Sequence, residues 1–280
     1  MATRLFSGFI HDRGPLMRIQ HGLLSRPGAE LAYTITGQGE WIVLCHALAT
    51  RQELWHRQIE SLAPDFAVLS FDLRGHGASP PPESRDYSFE SQGDDVVALM
   101  DHLDIHRAAL VGISVGGEVA QMAAARQGHR FSRLMLSSTA CHTDAQRAAA
   151  WAQRIQDART LGMSGIAPTT VSRWFSKRFA DEYPDVVEWC RECVASTPLE
   201  SYVGLAKVIQ AMDLRPLIGG ITCPTLIVCG DQDHNTGPAT ASTLQHLIPG
   251  AELSVISGAG HFPNLEQPQR FNDLLEDFLG

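Results

Sequence analysis

The sequence predicts an α/β fold with a mostly parallel central sheet, flanked by helices and interrupted by one helical insertion. Between residues 29 and 136, short apolar and β-branched runs alternate with segments whose apolar residues recur at helical spacing. Residues 141–212 contain no convincing strand, and the alternation resumes over residues 224–279. Strands that alternate with helices pair in parallel, so the interruption indicates an insertion between two strands of one sheet.

The predicted strands are short apolar runs at 31–36, 41–46, 67–72, 108–113, 133–137, 224–230 and 253–256. The predicted helices have apolar residues at helical spacing and cover 52–63, 89–103, 116–127, 239–247 and 268–279. Breaks within the helical insertion are expected at Gly162, Pro168, Pro184 and Pro198. We therefore expect an N-terminal tail at 1–17, a core formed by 18–140 and 213–280, and a helical cap at 141–212.

Composition excludes several classes of partner. The formal net charge is -9 and no Lys/Arg-rich run is present, which argues against a nucleic-acid partner. Apolar stretches such as 41–49 are far shorter than the ~20 residues that cross a bilayer, so no membrane segment is expected. The apolar patch at 5–10 is interrupted by charged residues, and no small-residue cleavage site follows it. These features predict a cytoplasmic protein.

The six cysteines do not form a pattern typical of disulfides or zinc. Cys190 and Cys193 have metal-like spacing, but five residues that resemble a strand separate Cys223 from Cys229. Tetrahedral zinc sites normally take two close pairs from turns. We therefore expect reduced cysteines and no bound metal.

The pentapeptide around Ser114 predicts a nucleophile. Gly112 and Gly116 flank this serine at two residues on either side, directly after an apolar run and before a helical segment. Small residues at these positions allow the tight strand-to-helix turn that lifts a serine hydroxyl above a sheet. The following helix adds a positive N-terminal dipole beside an oxyanion that develops there.

A serine nucleophile requires a base and a carboxylate that orients the base. Asp231 and Asp233 follow the strand that ends near Cys229, and His261 follows the last predicted strand. The order of serine, acid and histidine along the chain is the order found in α/β hydrolases. Position relative to the strands does not separate the two aspartates.

The loop after an early strand and the nucleophile turn are expected to supply the oxyanion hole. The backbone N–H groups of Val115 and Leu48 are the candidates, and Ala47 occupies a position where glycine is common, so it is expected to adopt the required conformation without glycine's freedom. His76 lies in a glycine-rich turn and is expected to be structural. Trp174 fits either the core of the insertion or the roof of a pocket.

Taken together, these features resemble α/β hydrolases of the 3-oxoadipate enol-lactonase type over roughly residues 20–279. The segments that carry the resemblance are Leu48-Ala49-Thr50, Leu54-Trp55, residues 71–79, 112–117 and 260–268, Trp151 with Arg154-Ile155, Arg173-Trp174-Phe175 and Asp213-Leu214-Arg215. The resemblance implies an α/β-hydrolase fold with a helical cap after the sixth strand. It also implies hydrolysis of a small-molecule ester or lactone without metal or cofactor by Ser114, Asp233 and His261. The resembling enzymes place the acid three residues after the glycine that ends the strand, which selects Asp233.

The chain departs from that family at two places. His46-Ala47 replace the more usual Asn-Ser, and Gly237-Pro238 replace a proline pair. Fold and triad do not determine the substrate. A carboxylesterase of other substrates, a hydrolase of carbon-carbon bonds in ring-fission products, and a ligand receptor without turnover remain alternatives. Haloalkane dehalogenases and epoxide hydrolases use a carboxylate where Ser114 stands, which argues against both. No pattern predicts the oligomeric state.

Overall fold

The computed structural model describes residues 18–280, so the tail predicted at residues 1–17 lies outside the described part of the chain. Within residues 18–280, one eight-stranded sheet is present. Its strands are β1 (Ile19–Arg26), β2 (Ala29–Gly37), β3 (Glu40–Cys45), β4 (Phe66–Phe71), β5 (Ala108–Ile113), β6 (Phe131–Ser137), β7 (Thr225–Gly230) and β8 (Glu252–Ile256).

The strand order is β1-β2-β4-β3-β5-β6-β7-β8. Strand β2 runs antiparallel to its neighbours β1 and β4, and all other neighbouring strands are parallel. Every residue of the inner strands β5 and β7 is buried, as expected for parallel strands covered on both faces. The predicted mostly parallel sheet is confirmed.

Strand β1 was not expected from the sequence. It is an edge strand whose apolar side chains Ile19 and Leu23 are 59% and 53% exposed, so its composition lacks the buried alternating face typical of strands. The turn to β2 places Pro27 and Gly28 between the paired residues Arg26 and Ala29, with Gly28 at φ 83. Proline followed by a left-handed glycine favours a type II turn, and this dipeptide was the available signal.

A short 3₁₀ turn at Gln52–Trp55 precedes the first helix of the described region. The helices are α1 (His56–Leu62), α2 (Phe89–His102), α3 (Val115–Gln127), α4 (Ala145–Val171), α5 (Lys177–Glu182), α6 (Pro184–Ser196), α7 (Leu199–Gln210), α8 (Arg215–Ile218), α9 (Pro238–Leu247), α10 (Pro263–Glu266) and α11 (Pro268–Leu279). Helix α3 packs against β3, β5 and β6 and therefore anchors the centre of the sheet. None of the helices in residues 18–280 is long and apolar enough to cross a membrane.

Helices α4 to α7 form a helical cap inserted after the sixth strand, as the predicted fold class requires. Helix α4 packs against both α6 and α7. Where the chain enters and leaves the cap, two backbone hydrogen bonds join the segments: Thr143 N–H donates to Met212 O at 2.9 Å, and Leu214 N–H donates to Cys141 O at 2.7 Å. The cap is thus attached to the sheet through a hydrogen-bonded neck.

The breaks expected inside the cap are only partly correct. Gly162 kinks helix α4 with φ 72, a left-handed conformation that glycine adopts without steric cost. Pro184 and Pro198 lie at helix starts, where a missing N–H is tolerated. The expectation of a break at Pro168 was wrong, because this proline lies inside α4 and the interruption is upstream at the glycine.

Two fully buried histidines, His46 and His76, lie in the loops that follow β3 and β4. The ring Nε2 of His46 accepts a hydrogen bond from Leu73 N–H at 2.9 Å, which ties the two loops together. The His76 ring lies 5.5 Å from the His46 ring, with Nδ1 donating to Arg74 O at 3.0 Å. Burial lowers the pKa of His46 to about 4, and burial together with the nearby His46 lowers the pKa of His76 to about 4.

Because of these two histidines, we expect the free energy of unfolding to decrease in mild acid. Because their pKa values are lower in the folded state than the unfolded value of ~6.5, the unfolded state binds more protons below that pH. Each histidine contributes to the free energy of unfolding. This contribution is fully present above pH ~6.5 and decreases by about 1.4 kcal/mol per pH unit as the pH falls toward 4. Glu118 on α3 acts in the opposite direction, since burial raises its pKa to about 8. We therefore expect His76→Asn to flatten the acid limb of the free energy of unfolding, measured by urea denaturation between pH 7 and 5. An unchanged slope in the folded variant would contradict this role.

Candidate active site

Ser114 lies in the tight turn between β5 and α3. Its backbone has φ 54 and ψ -125, and its N–H donates to Ser137 O at 2.9 Å. Such a conformation is strained for a residue with a Cβ and persists where surrounding structure enforces it. The side chain is half-buried and lines a cavity. The turn therefore presents the hydroxyl at the carboxyl end of the central strands.

The glycines around Ser114 are required by close backbone packing. A Cβ on Gly112 would lie 2.2 Å from Gly116 O, and one on Gly116 would lie 2.2 Å from Cys45 O. The close approach of Gly116 to Cys45 O packs the start of α3 against the end of β3. It brings the nucleophile turn next to the loop that contains Leu48.

The structure brings the three residues predicted as a triad into one hydrogen-bonded line. His261 Nε2 lies 3.1 Å from Ser114 Oγ, and His261 Nδ1 lies 2.8 Å from Asp233 Oδ2. Both His261 and Asp233 are only 6% exposed. A carboxylate accepts and cannot donate, so Nδ1 carries the hydrogen and Nε2 of the neutral ring is free to accept a proton from the serine.

Asp233 is held in its ionised form. Burial acts to raise the pKa of this carboxyl, but the nearby His261 and hydrogen bonds from His261 and Thr236 outweigh burial and hold the pKa well below its usual range. Asn235 N–H and Thr236 N–H donate to Asp233 Oδ1 at 2.8 and 3.0 Å. A negative charge thus faces the imidazole at neutral pH.

Asp231 occupies a different environment. Its exposed carboxylate accepts hydrogen bonds from Ser257 Oγ at 3.0 Å and from Gly258 N–H at 2.7 Å. These contacts connect the loop after β7 to the loop after β8. The geometry places Asp233, and not Asp231, against His261.

The two amides predicted to form an oxyanion hole are available. Within residues 18–280, neither Leu48 N–H nor Val115 N–H donates a hydrogen bond to protein. Ala47 was expected to adopt the loop conformation without glycine's freedom, and the positive φ in this loop falls on Ala49, at 55°, and not on Ala47. The missing glycine therefore causes no left-handed strain at Ala47 itself.

A cavity of about 430 Å³ lies between the sheet and the cap. On the core side it is lined by Leu48, Ser114, Glu118 and His261. Trp151, Arg154, Arg173, Trp174 and Tyr202 line it from the cap.

Trp174 lines the cavity from the cap side, which is one of the two roles that the sequence left open. Its ring packs 5.0 Å from the Phe262 ring, while the side chain also lines the cavity. Its carbonyl oxygen accepts a hydrogen bond from His261 N–H at 2.8 Å. The cap backbone therefore directly contacts the loop at residues 257–262, which contains His261 and is called the histidine loop.

Two arginines of the cavity lack a carboxylate partner. Among residues 18–280, neither Arg154 nor Arg173 has an Asp or Glu oxygen within 4.0 Å. The Arg154 guanidinium lies 4.7 Å above the Trp151 ring and donates to Asn235 Oδ1 at 3.2 Å. Burial and the nearby Arg173 lower the pKa of Arg154, but guanidinium groups remain charged at neutral pH. The part of the cavity lined by Arg154 and Arg173 is thus positive in a chain of net charge -9.

Sequence reasoning missed three polar residues of the site. Thr236 Oγ1 lies 2.7 Å from Asp233 Oδ2 and 2.8 Å from Ser138 O. Glu118 is a buried carboxyl on the first turn of α3. Glu266 accepts from Gly260 N–H at 2.7 Å and from Ser176 N–H at 3.2 Å, which joins the histidine loop to the cap. A turn-forming aspartate followed three residues later by threonine was a local signal for Thr236, whereas Glu266 acts through Gly260, six residues away, and through Ser176 in the cap.

Comparison with known proteins agrees with this architecture. A family described as having the alpha/beta hydrolase fold matches residues 40–268. A nucleophile turn after a central parallel strand, with acid and histidine after later strands, is the arrangement of this fold. The chain belongs to the α/β-hydrolase family.

Within that family, the chain is similar to enol-lactonases. It is 34% identical to 3-oxoadipate enol-lactonase 2 of Acinetobacter baylyi over 255 residues, covering 90% of this chain and 94% of the relative. The crystal structure of the enol-lactonase from Burkholderia xenovorans LB400 superimposes with a TM-score of 0.87 at 35% identity, covering 92% of this chain and 99% of the other. A malate-bound thermophilic esterase from Thermogutta terrifontis gives a TM-score of 0.85 at 29% identity, with 93% and 98% covered.

Proposed function

We propose that this protein is a serine hydrolase that opens a carboxylate-bearing lactone through an acyl-enzyme, with 3-oxoadipate enol-lactone as the leading substrate. The observation that carries the proposal is the position of His261, within hydrogen-bonding distance of both Ser114 Oγ and Asp233 Oδ2. This is the arrangement that activates a serine hydroxyl. Residues 141–212 act in this proposal as the lid over the site.

In the first half-reaction, Ser114 Oγ attacks the lactone carbonyl while His261 Nε2 takes the hydroxyl proton. The carbonyl oxygen becomes an oxyanion, which the N–H groups of Val115 and Leu48 stabilise. Collapse of the tetrahedral intermediate breaks the ring C–O bond, and His261 returns its proton to the leaving enol oxygen. The opened chain stays esterified to Ser114, and its enol can convert to the ketone.

In the second half-reaction, His261 removes a proton from water as the water oxygen attacks the acyl carbon. The second tetrahedral intermediate expels Ser114 Oγ, which recovers a proton from His261. The net reaction adds one water to the lactone and releases the open acid. Asp233 stays ionised and stabilises the imidazolium that forms twice in each cycle.

The arginines favour an anionic substrate. 3-Oxoadipate has two carboxyl groups, and closing one into the lactone leaves the other as a carboxylate. Arg154 and Arg173 lack a carboxylate partner among the described residues and line the same cavity as Ser114. Guanidinium groups bind carboxylates through paired, charge-assisted hydrogen bonds. The substrate carboxylate supplies the missing counter-charge.

The first test replaces Ser114 by Ala. Turnover should fall by several orders of magnitude with the fold intact, because only binding and the oxyanion hole remain. The measurement is hydrolysis of a panel containing 3-oxoadipate enol-lactone, uncharged lactones and aryl esters of graded chain length. Chelators should leave the wild-type rate unchanged. Most of the activity surviving in the folded alanine variant would contradict the mechanism.

Matched variants of Asp231 and Asp233 test which of the two aspartates orients His261. Asp233→Asn should lower kcat by ~10³ to 10⁴, because it removes the charge that orients the imidazole. Asp231→Asn serves as the control and should cost less than about tenfold, since its partners are loop groups. Steady-state kinetics on folded variants decides between them. The reverse ranking would assign the acid to Asp231.

Removing one guanidinium tests the charge of the substrate. Arg154→Gln should raise KM for 3-oxoadipate enol-lactone by roughly 10- to 100-fold, the range expected for a lost charge-assisted hydrogen bond. The methyl ester of the same lactone lacks the anion, so its KM should change little. Arg178→Gln is the matched control, because that side chain is 85% exposed on α5. Equal effects on the charged and neutral substrates would argue against carboxylate recognition.

A further inference from the structure

We propose that the Thr50 hydroxyl and the His46 imidazole are positioning groups that hold the Leu48 amide in its oxyanion-binding orientation. This inference rests on the proposed function. It concerns two residues whose side chains do not line the cavity and therefore do not contact substrate.

Three donors converge on one carbonyl oxygen. Ala47 O lies 2.8 Å from His46 Nδ1, 2.8 Å from Thr50 Oγ1 and 3.2 Å from Thr50 N. This carbonyl and the Leu48 N–H belong to the same planar trans peptide unit, so they point in opposite directions. Fixing the carbonyl on His46 and Thr50 therefore fixes the direction of the Leu48 N–H.

The tautomer of His46 is determined by its second partner. Leu73 N–H donates to His46 Nε2 at 2.9 Å, so this nitrogen carries no hydrogen. In the neutral ring the hydrogen must then be on Nδ1, from which it is donated toward Ala47 O. Within residues 18–280, the only carboxylate oxygen within 4.0 Å of a His46 ring nitrogen is Asp72 Oδ1, at 4.0 Å from Nε2. The fully buried ring is thus a fixed neutral donor.

The turn that carries Leu48 needs this support. The hydrogen bond from Thr50 N–H to Ala47 O closes a four-residue turn whose third residue, Ala49, has φ 55. Turns with a positive φ at this position favour glycine, and an L-residue in the left-handed region is strained. The two side-chain donors stabilise the strained turn at the carbonyl that orients the amide.

A positioning role predicts a particular kinetic change. The oxyanion exists in the tetrahedral intermediate and not in bound substrate, so a displaced amide lowers kcat and leaves KM nearly unchanged. Deleting an oxyanion donor costs about 10²- to 10³-fold in kcat. A donor that is present but less firmly held should cost less, on the order of tenfold.

The experiment compares Thr50→Val, Thr50→Ser and Thr225→Val. Thr225 is a matched control because its buried hydroxyl donates to Cys223 O at 3.0 Å, at the start of β7. We expect Thr50→Val to lower kcat on the best substrate of the panel by about tenfold, with KM within about twofold. Its affinity for an aryl boronic acid, which forms a tetrahedral adduct with the serine, should fall by the same factor. Thr50→Ser should restore both values, and Thr225→Val should change neither.

Two results would overturn the inference. One is a Thr50→Val variant with normal folding, unchanged kcat and unchanged boronate affinity; the other is an equal loss in Thr225→Val. If Thr50→Val does not fold, Thr50→Ala carries the same expectation. Labelling of wild-type Ser114 by a fluorophosphonate distinguishes failure of the proposed function from failure of the positioning role. Failure to label overturns both. Labelling with unaffected Thr50 variants overturns only the role.

Discussion

The site depends on one backbone contact, the approach of Gly116 to the end of β3. A Cβ at Gly116 would lie 2.2 Å from Cys45 O, closer than any side chain allows. This contact fixes the strained turn at Ser114 relative to the loop carrying Leu48, although the two segments are far apart in sequence. The proposed nucleophile and both candidate oxyanion amides are thus held together by this backbone packing. Rigid donors aimed at a developing charge need no reorganisation during reaction, which is why such packing serves catalysis.

The features that could be predicted from the sequence are those determined by residues close together in the chain. The strand-helix alternation is confirmed because buried parallel strands are short apolar runs, as β5 and β7 are. Ser114, His261 and Asp233 could be proposed because each follows a strand, and the carboxyl ends of parallel strands meet at one edge of a sheet. Asp233 required the family resemblance, since Asp231 has the same local pattern. The structure separates them by partners, not by spacing.

What could not be predicted depends on contacts between distant segments. Strand β1 is an exposed edge that pairs with β2, so its side chains lack a buried face. Glu266 joins the histidine loop to the cap through Gly260 and Ser176, and no local pattern indicates such a bridge. The strain in the loop after β3 falls on Ala49 and not on Ala47, because the turn geometry determines which residue takes a positive φ. These features follow from the assembled fold.

The cap and the histidine loop are joined by backbone hydrogen bonding close to the cavity. His261 N–H donates to Trp174 O, and the neighbouring Arg173 lines the cavity. The cap segment that contacts the His261 backbone therefore also carries a guanidinium group that lines the cavity. Arg154 and Arg173 share this cavity and have no carboxylate oxygen within 4.0 Å among the described residues, so their guanidinium groups repel each other; burial and this repulsion lower the pKa of Arg154. In the proposed reaction an anionic substrate removes that repulsion when it binds, so the segment that contacts His261 is proposed to favour a ligand with a carboxylate. Fold and triad leave the substrate open; the proposed function assigns the restriction to the charges on the cap.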